Sequence, residues 1–574
     1  MPIRIGTRSS NLAMWQARSV ASALNEAGVA TEIIQFKSMG DRSLGGNLSS
    51  TVGQFIHLID EQLMNGQVDI AVHSSKDVPI DSSELISNLA YMKRGATADL
   101  ILFKRKKEDP SLYDVLDDEA AKSLTDVLDK IEKGSTFGTV SGRRQSLLLS
   151  QRPDLIPLSV RGHVETRIER LIEGRVDALV LAETGIQRLR TTGVLDGRKN
   201  LLTAYRIRSD DWPTAPGQGA VCIHCKADRY QELSNLRTIL NHAPTESDVI
   251  RERTILDMAG GGCLYPAGIE VHGDDLTVRI SPQNWRVTFC EGREYPIFSY
   301  NGAFDNFELQ LPQDKPPIAK EAIEGPKFIS TLNSDRISMV LANEGIAMTN
   351  LSVIDLQPNL DAWPQDFLKQ YKSKRDWPYL VLTSPFSARC AVLAAESNPD
   401  IARIKWVAIG EGTARACFRR GVTVAICAKA RNSKEFLDYI CSNIGTKTKL
   451  LIPRSSVAPT EFVLQLSDAG YHVVDWIGYE NKAKNVEPAP VANDDVLVIS
   501  SSSSAISWAE NGLKTPNEII CMGNNTADTI LSLEHFKNCN VSVLEGPTTE
   551  YLTKWWNQNR RGRDEDETKN QSLD

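Results

Sequence analysis

The stretch GQVDIAVHSSKDVP, residues 66–79, and the stretch GRVDALVLAETGIQRL, residues 174–189, carry one pattern twice. Each runs Gly-x-Val-Asp into a short apolar run bounded by polar residues, which reads as a strand buried in a parallel sheet. A helix-period segment precedes each: FIHLIDEQLMNG (55–66) and VETRIERLIEG (164–174), the latter with Ile168, Leu171 and Ile172 on one face. Helix, strand and polar loop in two copies predict two similar α/β lobes. Ligands of open α/β sheets bind beyond the carboxyl ends of the strands. HSSKD and AETG are therefore expected at a cleft between the copies.

A second repeat lies further along. YLVLTSPFSARCAVLAA (379–395) followed by VAIGEGTARACFRRG (407–421) is echoed by VLVISSSSSAISWAE (496–510) followed by IICMGNNTADTI (519–530). Each copy reads as strand, Ser/Thr-rich turn and helix, then a strand ending in Gly and a Thr-Ala helix start. Thr413 and Thr526 fall where an N-cap or first-turn hydroxyl belongs. Between the two repeat pairs, LPQDKPPIAKEAIEGPK (311–327) is rich in Pro and charge, as linkers are. From about residue 557 the chain loses apolar periodicity, and a disordered tail is expected.

At 574 residues, the chain has room for three to five domains of about 100–200 residues each. A net charge of −8 argues against a protein that binds nucleic acid through a basic surface, without excluding a locally basic cleft. No apolar run reaches membrane-spanning length, no secretory leader is legible, and ten scattered cysteines suit a reducing cytoplasm. Cys222 and Cys225 form a lone CxxC within an alternating, strand-like segment. A zinc site would need a second pair, so no metal is assigned.

Arginine is the informative residue. Seven fall between positions 143 and 175: Arg143, Arg144, Arg152, Arg161, Arg167, Arg170 and Arg175. Arg143 and Arg144 follow the strand-like TFGTV at a strand-to-helix turn, while Arg170 and Arg175 have Glu169 and Glu173 at hand for pairing. Guanidinium forks bind carboxylates bidentately and keep their charge, so the cluster points to a polyanionic ligand. Asp77, at the end of a buried strand, is either a turn former before Val-Pro or an ionised acceptor for ligand N–H groups. In MAGGGCLYPAG (258–268), Cys263 follows three glycines, as a packing residue or as a thiol presented on a close-approach loop.

Taken in order, TRSSNLAMWQA, HSSKDVP, GRRQ, RPDL, RGHVETR, APGQGA and GGGC resemble the porphobilinogen deaminase (hydroxymethylbilane synthase) family over about residues 3–300. The resemblance implies that Cys263 holds a dipyrromethane cofactor by a thioether bond and that Asp77 is the catalytic carboxylate. It implies that Arg8, Ser10, Lys76, Ser141, Arg143, Arg144, Arg161, Arg167 and Arg188 bind acetate and propionate groups of cofactor and substrate. Gln218 falls on the cleft-lining hinge segment. The glycines before Cys263 then read as clearance for a bulky two-pyrrole arm. One segment departs: VGQFIHLID stands where the family has a lysine-rich KGLFVKELE, so Val52 and His57 replace two lysines.

Residues 327–556 resemble uroporphyrinogen-III synthase, through VLTSPFSA, VAIGEGTARACFRRG, LIPRSS and CMGNNTA. That family implies two α/β domains joined by a two-stranded linker, here near 354–361 and 476–484. It implies Thr383, Ser384, Tyr479, Ser500, Ser501 and Thr526 as candidates for orienting a flexible substrate. The expected architecture is α/β throughout. The N-terminal half would hold two periplasmic-binding-protein-like α/β domains (1–98 with 199–222, and 99–198) plus a small α+β cofactor domain (223–310). A linker (311–326), the synthase-like region (327–556, with an inserted lobe at about 362–475) and the tail (557–574) would follow. The implied protein is a cytoplasmic, monomeric, bifunctional enzyme of tetrapyrrole synthesis. It would take porphobilinogen and then hydroxymethylbilane, with no nucleic acid, membrane or metal. Two alternatives stand: only the deaminase half is active, or the chain is a two-lobed carboxylate-binding protein, which would need neither Asp77 nor Cys263.

Overall fold

The computed structural model describes residues 1–36, 54–80, 83–262, 265–313, 325–333, 335–546 and 548–561. It is a mixed α/β protein with several sheets. The chain divides into two compact units. The first comprises Met1–Arg286, Tyr295–Asp314 and Gly421–Ile426; the second comprises Val287–Glu294, Lys315–Arg420 and Cys427–Asp574.

Ten strands of the first unit make two sheets: β1 (Ile3–Arg8), β2 (Thr31–Phe36), β3 (Ile70–Ser74), β4 (Ile86–Tyr91), β5 (Asp99–Lys104), β6 (Thr136–Gly138), β7 (Ile156–Leu158), β8 (Ala178–Ala182), β9 (Leu202–Arg206) and β10 (Val221–Lys226). The orders are β2-β1-β3-β10-β4 and β7-β6-β8-β5-β9. In each sheet four strands run parallel and one, fourth in the order (β10 or β5), runs against them, so the repeat seen in sequence extends to the whole sheet. The Gly-x-Val-Asp aspartates do the same work in both. Asp69 accepts the backbone N–H of Arg4 (2.9 Å) and donates its own to the Arg4 carbonyl; Asp177 does so with Thr136 (2.7 and 3.0 Å). Each carboxylate thereby satisfies a backbone donor that the strand's start leaves over.

The chain passes between the sheets twice, from β4 to β5 and from β9 to β10. Pairing places β9 in the second sheet and β10 in the first. The sequence expectation had given 199–222 to the first lobe and the rest of β10 to the third. Both are short buried strands, and composition alone does not say which edge they join. The third sheet is antiparallel, Ala267–His272, Asp275–Ile280 and Phe298–Ala303, with the helix Ala243–Met258 packed on it through Ile255 and Leu256. Glu252 on that helix is wholly buried. It pairs with Arg94 (2.8 Å) and accepts the backbone N–H groups of Gly217 (2.7 Å) and Val271 (2.9 Å), tying the third sheet to both crossing segments.

In the second unit one sheet is all parallel: Met348–Asn350, Phe328–Ser330, Val496–Ile499, Glu518–Cys521, Asn540–Val543. In another, Ile354–Pro358 runs antiparallel to the 11-residue strand Val473–Ala483, which continues in parallel with Leu450–Ser455. Tyr379–Leu382 and Lys405–Ala408 follow in the same sheet. The repeated strand–turn–helix pattern is present in both. Ser384 and Ser501 cap the helices Pro385–Ser397 and Ser502–Glu510, whereas Gly410 and Gly523 take the cap positions before Glu411–Phe418 and Asn524–Ser532. Thr413 and Thr526 are accordingly buried first-turn residues and not N-caps. Residues 557–561, placed by the sequence in a disordered tail, continue the last helix as a π-turn. Among the described residues no helix is long and apolar enough to cross a membrane.

Asp69 tests the strand-pair clasp, since it also takes ion pairs from Arg4 (3.0 Å) and Arg229 (2.6 Å). Asp69→Ala leaves those donors unmatched and is expected to cost about 2 kcal/mol. This is read as a lower urea midpoint with an unchanged m-value.

Candidate functional site

The polar centre of the first unit is Asp99, the first residue of β5. Its carboxylate is fully buried and receives Arg143 Nη2 (2.6 Å), Arg144 Nε and Nη2 (2.9 and 2.5 Å), Trp212 Nε1 (2.9 Å) and Gln218 Nε2 (2.9 Å). Burial alone would raise its pKa; the Arg144 and Arg143 charges outweigh that and hold the carboxyl far below the usual range. The two arginines spend further donors on the carbonyls of Pro213 and Val180 (both 3.0 Å). Ser141 caps their helix, Gly142–Gln151, at the carboxyl end of β6. Arg143 and Arg144 thus fall at the strand-to-helix turn that the sequence predicted, but mainly as partners of Asp99.

Gln218 relays this network to the cleft. Its Oε1 accepts Lys76 Nζ at 3.1 Å, and its Nε2 also reaches the Thr97 carbonyl at 2.6 Å. Lys76 and Asp77 occupy a 3-10 turn directly after β3, where Asp77 is exposed and Lys76 partly buried. Burial first, then the Arg144 charge, push the Lys76 ammonium down to about 8 against the opposing pull of Asp77 and Asp99. Arg167 is lowered to about 10 by burial and by Arg144 and Arg161, while Asp77 opposes that shift and Arg8 adds to it. These five charges therefore share one region. Arg161 and Arg188 are each lowered to about 10 by burial. Arg188 donates to the Gly219 carbonyl (2.6 Å) and lies 5.0 Å over the Trp15 ring. Ser10 caps the helix Asn11–Glu26.

Two more of the seven clustered arginines have structural partners. Arg152 pairs with Asp154 and caps three carbonyls, and Arg175 pairs with Glu173 (2.6 Å). Glu169, expected near Arg170, is taken by Arg198.

A small cleft opens beside this region, lined by Lys76, Ser141, Arg143, Arg253, Gly262 and Tyr265 among others. Cys263 and Val52 lie outside the described residues, and of His57 only the helical backbone is described. The glycines before Cys263 differ from one another. Gly260 has φ +69°, ending the helix in the left-handed region, and a Cβ on Gly261 would sit 2.5 Å from the Tyr265 ring. At both Gly260 and Gly262 a Cβ would meet nothing within 4 Å among the described residues. Clearance is thus a property of the two outer glycines, while Gly261 packs against Tyr265 and the φ of Gly260 shapes the turn.

In the second unit the candidates form two groups on different sheets. Ser384 Oγ lies 3.1 Å from the Tyr479 hydroxyl, with Thr383 just before it at the end of Tyr379–Leu382. Tyr479 is buried, which raises its pKa, and its ring meets Phe386. Ser500 is bound by Thr331 through backbone N–H (3.0 Å) and hydroxyl (3.2 Å), Ser501 caps its helix, and Thr526 lies in the first turn of another. Asn481, two residues beyond Tyr479 on the same strand, reaches Ser503 at 3.3 Å. Sequence reasoning missed Asp99, Trp212, Arg253, Thr331 and Asn481. Only Asp99 left a trace, as an acid opening the apolar run LILF.

Comparison with known proteins agrees with this division. Residues 3–234 match the family model "Porphobilinogen deaminase, dipyromethane cofactor binding domain", and residues 335–553 match "Uroporphyrinogen-III synthase HemD". The porphobilinogen deaminase of Trichlorobacter lovleyi is 36% identical over 282 residues, covering 48% of this chain and 81% of that protein. That of Nitratidesulfovibrio vulgaris is 37% identical over 278 residues, covering 48% and 79%. Among solved structures, the uroporphyrinogen-III synthetase of Helicobacter pylori aligns at TM-score 0.30 and 16% identity over 41% of this chain and all of that one. The periplasmic aliphatic sulphonate binding protein SsuA of Escherichia coli aligns at TM-score 0.24 and 12% identity, over 45% and 70%.

Asp99→Asn keeps the size but removes the charge that two buried guanidinium groups share. A loss of about 3–5 kcal/mol is expected, as when one partner of a buried ion pair is removed. Calorimetry of the variant, with Trp212 emission as a local reporter, checks it.

Proposed function

The chain belongs to the porphobilinogen deaminase family, and on that premise we propose how its residues divide two consecutive reactions. It is a bifunctional enzyme of tetrapyrrole synthesis: four porphobilinogen molecules condense to hydroxymethylbilane with release of ammonia, and the product is cyclised to uroporphyrinogen III. Our finer reading gives the N-terminal half two periplasmic-binding-protein-like lobes plus a small cofactor domain. The C-terminal half has two α/β lobes on a two-stranded linker, and the protein works as a cytoplasmic monomer.

Each porphobilinogen brings two carboxylates, so a growing chain gathers negative charge that needs fixed cations. Lys76, Arg161 and Arg167, with Arg8 and Arg188, supply them. Arg143, Arg144 and Gln218 act chiefly by fixing the Lys76 side of the cleft through Asp99, while Ser10 and Ser141 offer helix-cap hydroxyls. A two-pyrrole, multi-carboxylate group suits the cleft, which is cation-lined and reaches Gly262 beside Cys263. When attached through Cys263, the dipyrromethane supplies the first free pyrrole carbon for chain growth.

The exposed Asp77 carboxylate accepts substrate pyrrole N–H. As the substrate's C–N bond breaks and ammonia departs, positive charge spreads onto that ring, and Asp77 stabilises it electrostatically. Attack by a free pyrrole carbon forms the new C–C bond, and the proton displaced from that carbon leaves by way of Asp77. In the second unit Thr383, Ser384 and Tyr479, and Ser500, Ser501 and Thr526, orient the linear product for closure, a positioning effect.

What carries this reading is that one chain holds both family matches in order, with Lys76 lining a cleft shared with Arg143 and Arg253 and Asp77 next to it in the chain. Incubation with porphobilinogen, followed by oxidation and separation of uroporphyrin I from III, tests it. Mostly type III is expected; mostly type I removes the second activity, and no porphyrin removes both. The pH profile tests Lys76 separately. Its charge disappears as pH rises through about 8, so kcat/KM is expected to fall above that pH. In Lys76→Arg that limb should move beyond pH 9, because guanidinium keeps its proton to about pH 12 or higher.

A further inference from the structure

Behind the Lys76–Asp77 turn lies a polar cluster that neither reaction uses. Asp60, on the helix Gln54–Met64, His73, on β3, and His224, on β10, are all buried, and their ligand atoms lie within 4.8 Å of one another. His73 Nε2 stands 2.9 Å and His224 Nδ1 3.4 Å from the same carboxylate oxygen, Asp60 Oδ1. Three elements thus aim a nitrogen, a nitrogen and an oxygen at one point.

A tetrahedral ion bonded at about 2.0–2.1 Å holds its ligand atoms about 3.3 Å apart, a spacing that the two measured separations bracket. A fourth donor is at hand. Cys222 pairs directly opposite His73 and sits two residues from His224 on the same sheet face; its thiol donates to the His73 carbonyl (3.7 Å), outside the three clustered atoms, and would join them by turning about its Cα–Cβ bond. Two neutral imidazoles, a carboxylate and a thiolate balance a dication, so the filled site would carry no net charge into the apolar core. The mixed N, O and S donor set suits zinc and disfavours magnesium or calcium. With four protein ligands and no open position, such a site is structural.

We propose that Asp60, His73, His224 and Cys222 bind one zinc-class divalent ion, which pins the helix Gln54–Met64 to β3 and β10 and so steadies the strand that ends at Lys76–Asp77. The lone CxxC contributes only its first cysteine. Cys225 points to the opposite face, into the core with Val221 and Ile223.

The test uses the full-length protein, loaded with zinc and dialysed without chelator. Elemental analysis should find about one zinc per chain. Exchange for Co²⁺ should give intense visible bands of a tetrahedral ion, with a thiolate charge-transfer band that Cys222→Ser removes. Asp60→Asn with His224→Gln should lower zinc content at least tenfold. Less than about 0.1 zinc in the wild-type protein would mean a metal-free hydrogen-bonded cluster and overturn the proposal. Undiminished zinc in the double variant would place the ion elsewhere and overturn it equally. Because the wild-type content and cobalt spectrum stand alone, poor folding of the variants does not shelter the idea.

Discussion

The first unit is organised around a single buried carboxylate. Asp99 collects two guanidinium groups, an indole N–H and an amide from segments up to 119 residues away. Each donor belongs to a part that must hold its place: the helix after β6, the crossing segment that carries Trp212, and the turn that carries Gln218. A charge taken so far from water is tolerable only when fully paired and hydrogen-bonded, so the network is satisfied or it fails as a whole. Through Gln218 it reaches Lys76, and beside Lys76 stands Asp77. On our proposal, the chemistry at the cleft therefore depends on an ion cluster that itself takes no part in bond making.

The two halves solve different problems. A chain that grows by two carboxylates per unit demands fixed positive charge, and the first unit concentrates arginines there, with Arg161, Arg167 and Arg188 all lowered to about 10 by their burial. Ring closure of an already assembled chain demands conformational control, and on our proposal the second unit would meet it with hydroxyls at strand ends and helix starts. Hydroxymethylbilane also closes without help to the unwanted isomer. We propose that carrying both steps on one chain raises the effective concentration of the second unit for each product released.

Much of this was legible in the letters. The first repeat survives as two matched sheets because Gly-x-Val-Asp, with its apolar run, specifies helix end, strand start and buried strand within a few residues, and the second survives as two strand–turn–helix units. The Arg143–Arg144 turn and the Ser384 and Ser501 caps followed from equally local rules. What escaped depends on long-range partners. Nothing near Asp99 announces that four side chains converge on it, so its arginines read as ligand binders. Neither β9 nor β10 states which sheet it will join, since both are buried and apolar. The glycines at 260–262 looked alike in sequence and differ only by φ and by what stands opposite.

The central claim is that this cleft builds its product on a primer held by the chain itself. Intact-mass spectrometry of the purified active protein tests that most directly, with peptide mapping to locate any addition. The account expects the chain mass plus one dipyrromethane, located at Cys263 and absent from Cys263→Ser. A bare chain mass in protein that still converts porphobilinogen would contradict it.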